Sequence, residues 1–398
     1  RWTKVMSEKI HIDSYWRSLN KKNEELCGDR VQIKRSDSSV VLVLADGLGS
    51  GVKANILSTL TSTIVCEMVF SGMNLKDAIE TISSTLPVCA EREIAYSTFT
   101  IIQVYYDGAV FVAQYDSPST IFIHNGKVVH EEEQIRTYSG KTIHLMNFLC
   151  EPGDYILTFS DGVLFAGLGM SLNFGWGQKE VETFLEEHIK ENDSASDVTR
   201  MLLSNVNYLY GSCPGDDSTV ACLHILEAKE TRVMVGPPSN KEDDEKVVHK
   251  LLAASGKKIC CGGTTSTIVS RVTGKELKTD SIFHMALDVP PKGFIDGIDL
   301  VTEGVLTLQK VSRMLKKAVE DTTFAENVIL SHEQDGATCL MRELLQSSAI
   351  TFMVGLSDNP AHEEIAYSTI SLNAKIALIK DMAKDLETLG KIVKIEMY

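Results

Sequence analysis

The chain has 398 residues and a net charge of −15, with 43% of it hydrophobic and 23% charged. That length exceeds what one hydrophobic core usually organises, so two domains are expected, and the composition is that of an ordinary globular protein. No stretch gathers Lys and Arg on one face, which argues against nucleic acid as the main partner, since phosphate-backbone binding relies on clustered cations. The nine cysteines form no C-x-x-C pair and lie mostly in apolar runs, so a reduced, cytoplasmic protein fits best. Cys260-Cys261 reads as two buried thiols rather than metal ligands, because neighbours on a strand face opposite ways. Arg1-Trp-Thr-Lys4 has no signal-peptide pattern and no apolar run reaches membrane-spanning length, so no membrane contact is expected. The missing initiator Met suggests further sequence upstream.

Along the chain, Val40–Ala45 is a continuous apolar, β-branched run that ends in Asp46-Gly47, the pattern of a buried strand entering a loop. Apolar residues at helical spacing from Val52 to Phe70, with Gly72 beyond, predict a helix, and Leu75–Leu86 predicts a second one stopped by Pro87. Tyr96–Tyr105 and Ala109–Tyr115 flank a Tyr-Asp-Gly turn, and Thr120–His124 and Lys127–His130 flank Asn125-Gly126; both read as hairpins. Asp154–Ser160 is another strand ending at Asp-Gly. Glu180–Ile189 and Ala195–Leu209 read as helices, and Ser218–Leu226 as a strand. Many antiparallel strands with helices set apart from them predict an α+β layered domain over residues 1–228. Beyond it the pattern changes. Thr231–Val235, Lys257–Cys261, Ile350–Leu356 and Ile392–Met397 predict strands, while Lys241–Ala254, Thr265–Val272 and Leu372–Leu389 predict helices. Residues 229–398 are therefore expected to form a separate, smaller α/β domain.

Three acidic sites share one design, in which an apolar strand delivers a carboxylate to its end beside Gly or a second Asp. They are Asp46-Gly47, Asp161-Gly162 and Gly215-Asp216-Asp217, and Cys27-Gly28-Asp29 is a fourth. A single Asp-Gly is usually a turn; several at the ends of strong strands point to hard divalent ions, which take oxygen ligands. Gly after Asp removes bulk and lets a backbone carbonyl join the coordination shell. Two such ions can share a carboxylate, activate a water and clamp a phosphoryl group.

Residues 20–226 resemble the metal-dependent protein phosphatase superfamily (protein phosphatase type 2C), in the bacterial branch of the stage II sporulation E phosphatases. The resemblance is carried by Cys27-Gly-Asp29, Val41-Leu-Val-Leu-Ala-Asp-Gly-Leu-Gly-Ser-Gly51, Asp116-Ser-Pro-Ser-Thr-Ile-Phe-Ile123, Ile156-Leu-Thr-Phe-Ser-Asp-Gly-Val163 and Gly215-Asp-Asp-Ser-Thr-Val220. It implies a layered αββα domain, two antiparallel sheets flanked by helices. It also implies two Mn²⁺ or Mg²⁺ ions, with Asp46, Asp161 and Asp216 as the catalytic core. In that correspondence Asp46 bridges both metals, Gly47 gives its carbonyl to the first, and Asp161 and Asp216 ligate the second. Asp29 matches an acid acting through metal-bound water, and Asp217 supports from outside. The implied activity is that of a serine/threonine phosphoprotein phosphatase in bacterial signalling, working through attack by activated water without a covalent intermediate. A phosphatase for a small phosphate ester and a non-catalytic sensor that retains the fold are the alternatives. His144, His188 and His224 are assigned as structural, and Ser50 as the N-cap of the helix after it. Arg30 and Arg35 are the stand-ins for the Arg with which some relatives hold phosphate.

In the second domain, Ile259-Cys-Cys-Gly-Gly-Thr-Thr-Ser-Thr267 is strand, glycine turn and hydroxyl-rich helix start, either a plain turn with an N-cap or an anion site. Asp288–Glu303, Val235-Gly-Pro-Pro238 and Val354–Pro360 add loops after strands, where an α/β sheet would place a ligand crevice. The expected partners are a phosphoprotein substrate and a small-molecule or protein ligand on this domain. A homodimer is compatible with the sequence.

Overall fold

The structure is a computed structural model, which describes residues 10–36, 38–85, 97–170, 172–190, 193–279, 292–357 and 371–398. The chain divides into two compact units, Arg1–Glu227 and Ala228–Tyr398. The first begins with β1 (Ile10–Leu19), β2 (Asp29–Arg35), β3 (Ser39–Gly47), α1 (Gly51–Phe70) and α2 (Leu75–Thr85). There follow β4 (Ser97–Tyr105), β5 (Ala109–Tyr115), β6 (Ile121–His124), β7 (Lys127–Val129), β8 (Glu133–Tyr138), β9 (Lys141–Leu149) and β10 (Tyr155–Phe159). It closes with α3 (Asp161–Leu164), α4 (Gln178–His188), α5 (Ala195–Leu209) and β11 (Ser218–Glu227). The predicted ends at Leu86 and Tyr96 lie outside the described residues.

The strands form two antiparallel sheets, one of five strands in the order β1-β11-β10-β6-β7 and one of six in the order β2-β3-β4-β5-β9-β8. With helices flanking both, the first unit is the layered α+β arrangement that the sequence predicts. Strand β3 shows why its run is continuously apolar. Val41, Val43 and Ala45 pack with Val65, Cys66 and Val69 of α1 and Ile79 of α2, while Val40, Leu42 and Leu44, on the opposite face, are also buried. A strand covered on both sides loses its polar alternation. On the five-stranded sheet, Val181 and Leu185 of α4 and Val198, Leu202 and Val206 of α5 cover Leu157, Phe159 and Val220. Full burial of each such side chain stabilises the fold by about 1.5–3 kcal/mol. Helix α5 starts at a reciprocal capping box between Ser194 and Asp197. The sheets meet through Phe122 of β6 and Phe148 of β9, with ring centroids 4.4 Å apart. Arg35 of β2 ties them further, donating to Ile12 O and Ser14 Oγ of β1, each at 2.7 Å.

Helix α1 turns its small residues inward. Ala54, Ser58, Thr61 and Ser62 are buried, whereas Ile56, Leu60 and Ile64 are about half exposed at 52%, 54% and 46%. Small inward side chains let the helix lie close on the sheet. A Cβ at Gly47 would stand 2.1 Å from Ala54 O. Ser50 occupies the N-cap position but does not cap. Its hydroxyl donates instead to Glu24 Oε1 at 3.0 Å, which corrects the sequence assignment.

The second unit runs β12 (Glu230–Val235), a 3₁₀ turn at Lys241–Asp243, α6 (Asp244–Leu252), β13 (Lys257–Cys261) and α7 (Gly263–Thr273). Next are β14 (Lys278–Thr279), β15 (Lys292–Phe294), β16 (Leu300–Thr302), α8 (Val305–Glu320), α9 (Thr322–Leu330) and α10 (Gly336–Gln346). β17 (Ala349–Val354), α11 (Leu372–Thr388) and β18 (Ile392–Met397) complete it. Its seven strands lie in the order β14-β15-β16-β13-β12-β17-β18, and those from β16 to β18 are parallel. The chain moves outward from β12 through β13 to β16, then crosses back to β17 and β18. That reversal buries both faces of the sheet. Cys260 packs in the cluster with Val248 and Val269, and Cys261 in the other, with Leu308 and Leu340. The two thiols therefore face opposite sides, as expected.

Candidate functional site

The acids sit where strands from the two sheets of the first unit end together. Asp29 opens β2 and Asp46 lies near the end of β3, directly opposite it in the antiparallel register. Asp161 begins α3, immediately after β10. Asp216 and Asp217 immediately precede β11. Ser160 stitches the sheets at this point, donating from Oγ to Asp29 Oδ2 at 2.7 Å and accepting from the Thr219 amide at 2.8 Å.

Burial is the main force raising the pKa of Asp46, and the charges of Asp29, Asp161 and Asp216 add to it in that order. Burial likewise pushes Asp29 up, opposed by the hydroxyls of Ser160 and Thr219. Asp161 is raised by burial and then by Asp216, with Asp116 adding and Lys21 opposing. The charges of Asp29, Asp161 and Asp216 thus hinder the ionisation of Asp46, and that of Asp216 hinders Asp161. Such a set calls for a cation. Among the described residues no group of three or more His, Cys, Asp or Glu stands close enough together to hold a metal ion as placed. The set consists of oxygen donors, the chemistry a hard divalent ion takes, with waters completing its shell.

Asp216 and Asp217, at the bend that leads into β11, make different contacts. Asp216 meets the Lys21 ammonium at 3.4 Å. Asp217 is buried and accepts from two backbone amides, Lys21 N–H on Oδ1 and Gly28 N–H on Oδ2, both at 2.8 Å. It clamps the loop between β1 and β2. The glycines beside the acids are sterically required. A Cβ at Gly162 would stand 2.0 Å from Asp217 O, as one at Gly47 would meet Ala54.

A small pocket of about 30 Å³ adjoins the cluster and is lined by Asp46, Asp161, Ser160, Thr98, Asp116 and Ser117 among others. Asp116 has φ +48, a left-handed conformation unusual for a non-glycine residue. Its proximity was not read from the sequence, although an Asp-Ser-Pro turn straight after a strand was the available signal. Arg35 is bound to β1; Arg30 is exposed on β2. The three histidines make structural contacts. His144 Nδ1 lies 2.9 Å from Glu133 Oε1, His188 Nδ1 lies 2.8 Å from Phe184 O, and His224 stacks on Tyr155 at 4.1 Å.

In the second unit, Gly236, Gly262 and Gly355 follow the carboxyl ends of β12, β13 and β17. The Gly236 amide donates to Thr265 Oγ1 at 3.0 Å, and Lys375 Nζ donates to Gly355 O at 2.6 Å. A Cβ on Gly355 would stand 2.0 Å from Pro237 O, so the two loops at the strand reversal touch. Residues 288–291 and 358–360 of the loops singled out above lie outside the described residues.

The sequence model of the family described as Stage II sporulation protein E (SpoIIE) matches residues 36–226. Phosphoserine phosphatase RsbX of Bacillus subtilis (strain 168) is 37% identical over 60 residues, 15% of this chain and 30% of that protein. The chain thus spans about a third of that relative's length. Among solved structures, the phosphatase domain with a regulatory fragment of SpoIIE from Bacillus subtilis aligns at 17% identity and a TM-score of 0.49. That alignment covers 56% of this chain and 66% of the other. RsbX in complex with magnesium aligns at 20% identity and a TM-score of 0.40, over 54% of this chain and 96% of the other. Among the described residues no helix is long and apolar enough to cross a membrane.

Proposed function

We propose, for a chain whose residues 36–226 belong to the Stage II sporulation protein E family of type 2C phosphatases, a metal-dependent serine/threonine phosphoprotein phosphatase that acts in signalling. The observation that carries this reading is the convergence of Asp29, Asp46, Asp161 and Asp216 into one oxygen-only cluster of like charges beside a small pocket. Asp46, Gly47, Asp161 and Asp216 would hold two Mn²⁺ or Mg²⁺ ions, with Asp29 and Asp217 behind them. Bound there, the ions supply an activated water and neutralise charge on the phosphoryl oxygens.

The chain's own residues prepare the place. Ser160 fixes the orientation of Asp29 and joins the ends of the two sheets. Asp217 holds the loop that brings Lys21 and Asp29 to the cluster. Asp46 stands at the centre, where its negative charge is opposed by three others and is released from that cost by a cation.

The cysteines found among the described residues are all free, which supports placing the protein in a reducing compartment, the cytoplasm. We assign the second unit a regulatory or ligand-binding role, because its strand order reverses between β12 and β17, the place where a parallel sheet commonly binds a ligand. Phosphate release in Mn²⁺ from phosphoserine and phosphothreonine peptides, set against small phosphate monoesters, tests the reading. A large preference for peptides supports it. Turnover of the small esters alone would replace the substrate class.

A further inference from the structure

Lys21 is gripped at both ends by adjacent acids. Its backbone amide donates to Asp217 Oδ1 at 2.8 Å, and the other oxygen of that buried carboxylate takes the Gly28 amide at 2.8 Å. The next residue, Lys22, donates its amide to Pro214 O at 2.9 Å. The lysine's backbone is therefore fixed beside the cluster by contacts spanning nearly 200 positions of sequence. Its side chain is not. The ammonium makes one contact of 3.4 Å with Asp216 Oδ1, with the two side chains 35% and 41% exposed. A single-contact pair that exposed adds little to stability, so holding the fold together is not what the contact does. The charge also reaches Asp161, where it opposes the rise caused by burial and Asp216.

We propose that Lys21 is a tethered counter-ion that neutralises Asp216 until a divalent ion displaces it, and so sets the metal concentration at which the site loads. The inference rests on the two-metal reading above. An ammonium and a divalent cation on the same carboxylate repel one another, and the doubly charged ion gains more from the cluster's four acids. The fixed backbone keeps the displaced ammonium within reach, so it returns when the ion leaves. Metal loading is thus a competition built into the chain.

Isothermal titration of Mn²⁺ into the full chain tests this, with Lys21→Met, Lys21→Gln, Lys21→Arg and Asp46→Asn compared with the parent and folding checked by circular dichroism. Both uncharged variants should bind Mn²⁺ about two- to five-fold more tightly at low salt, the range set by the strength of exposed pairs. The gain should shrink as salt screens the charge, and Lys21→Arg should stay close to the parent. Unchanged or weaker binding in both Met and Gln variants, while Asp46→Asn abolishes binding, would overturn the competition and leave the metal reading standing. Full Mn²⁺ binding in Asp46→Asn would overturn the metal reading, and this inference with it.

Discussion

Replacing Asp46 with Asn should stabilise the metal-free protein at neutral pH while destroying its metal response. The carboxyl is raised from its ordinary 3.8 by burial first and then by Asp29, Asp161 and Asp216. A group whose folded pKa is raised takes up a proton on folding. Its contribution is fully present below 3.8 and is lost as pH rises through the higher folded value. Each pKa unit corresponds to about 1.4 kcal/mol, so a rise of even two units costs the ionised fold about 3 kcal/mol. Asn resembles the protonated acid and avoids that cost. For a domain of this size each kcal/mol moves Tm by about 2–4 °C, which gives a gain of roughly 6–12 °C near pH 8. Thermal melts in a chelator between pH 4 and 8.5 should show the two proteins diverging as pH rises. Saturating Mn²⁺ should reverse the order, since a thousand-fold excess over Kd adds about 4.1 kcal/mol to the parent alone. An Asn variant no more stable than the parent at pH 8 would refute the electrostatic reasoning.

Asp217→Ala removes the acceptor of two backbone amides. Leaving both donors unsatisfied should cost about 2–4 kcal/mol in urea denaturation, with Asp217→Asn recovering part of it. Gly47→Ala places a Cβ 2.1 Å from Ala54 O and should cost about 3 kcal/mol or more. Gly49→Ala meets no atom within 4 Å, so its cost should be smaller and come from its φ of +100; equal losses at the two positions would discount the helix contact. Expressed without Ala228–Tyr398, the first unit should unfold cooperatively, because both of its sheets are closed within its own sequence.

Asp46 and Asp161 were legible because β3 and β10 are buried on both faces, and their continuous apolar runs stop at Asp46 and just before Asp161. Strand β8 gave no such signal. Its residues Glu133 to Thr137 are exposed, so no alternation marks it, and β8 and β9 went unread together. The helices α8 to α10 also went unread, although Leu308, Val311, Leu315 and Ala318 repeat at helical spacing in α8. The helical period of α1 was visible, but not its inward face. Close packing on the sheet selects Ala54, Ser58 and Ser62 there rather than the larger apolar residues. Within the site, Asp29, Asp46, Asp161 and Asp216 were legible one at a time from their turns. Lys21 and Ser160 were not, because their roles exist only through partners far along the chain, Asp216 and Asp217 for the one and Asp29 for the other. Spacing cannot reveal a partner that only the stacking of two sheets supplies.

The most direct test of the central claim is phosphate release from a phosphoserine peptide as Mn²⁺ is titrated, with the parent chain and Asp46→Asn side by side. The account predicts saturable, chelator-reversible turnover in the parent and a loss of about a hundred-fold or more in the variant, as removal of a main electrostatic contributor causes. Equal turnover in the two proteins, or turnover indifferent to the metal, would contradict it.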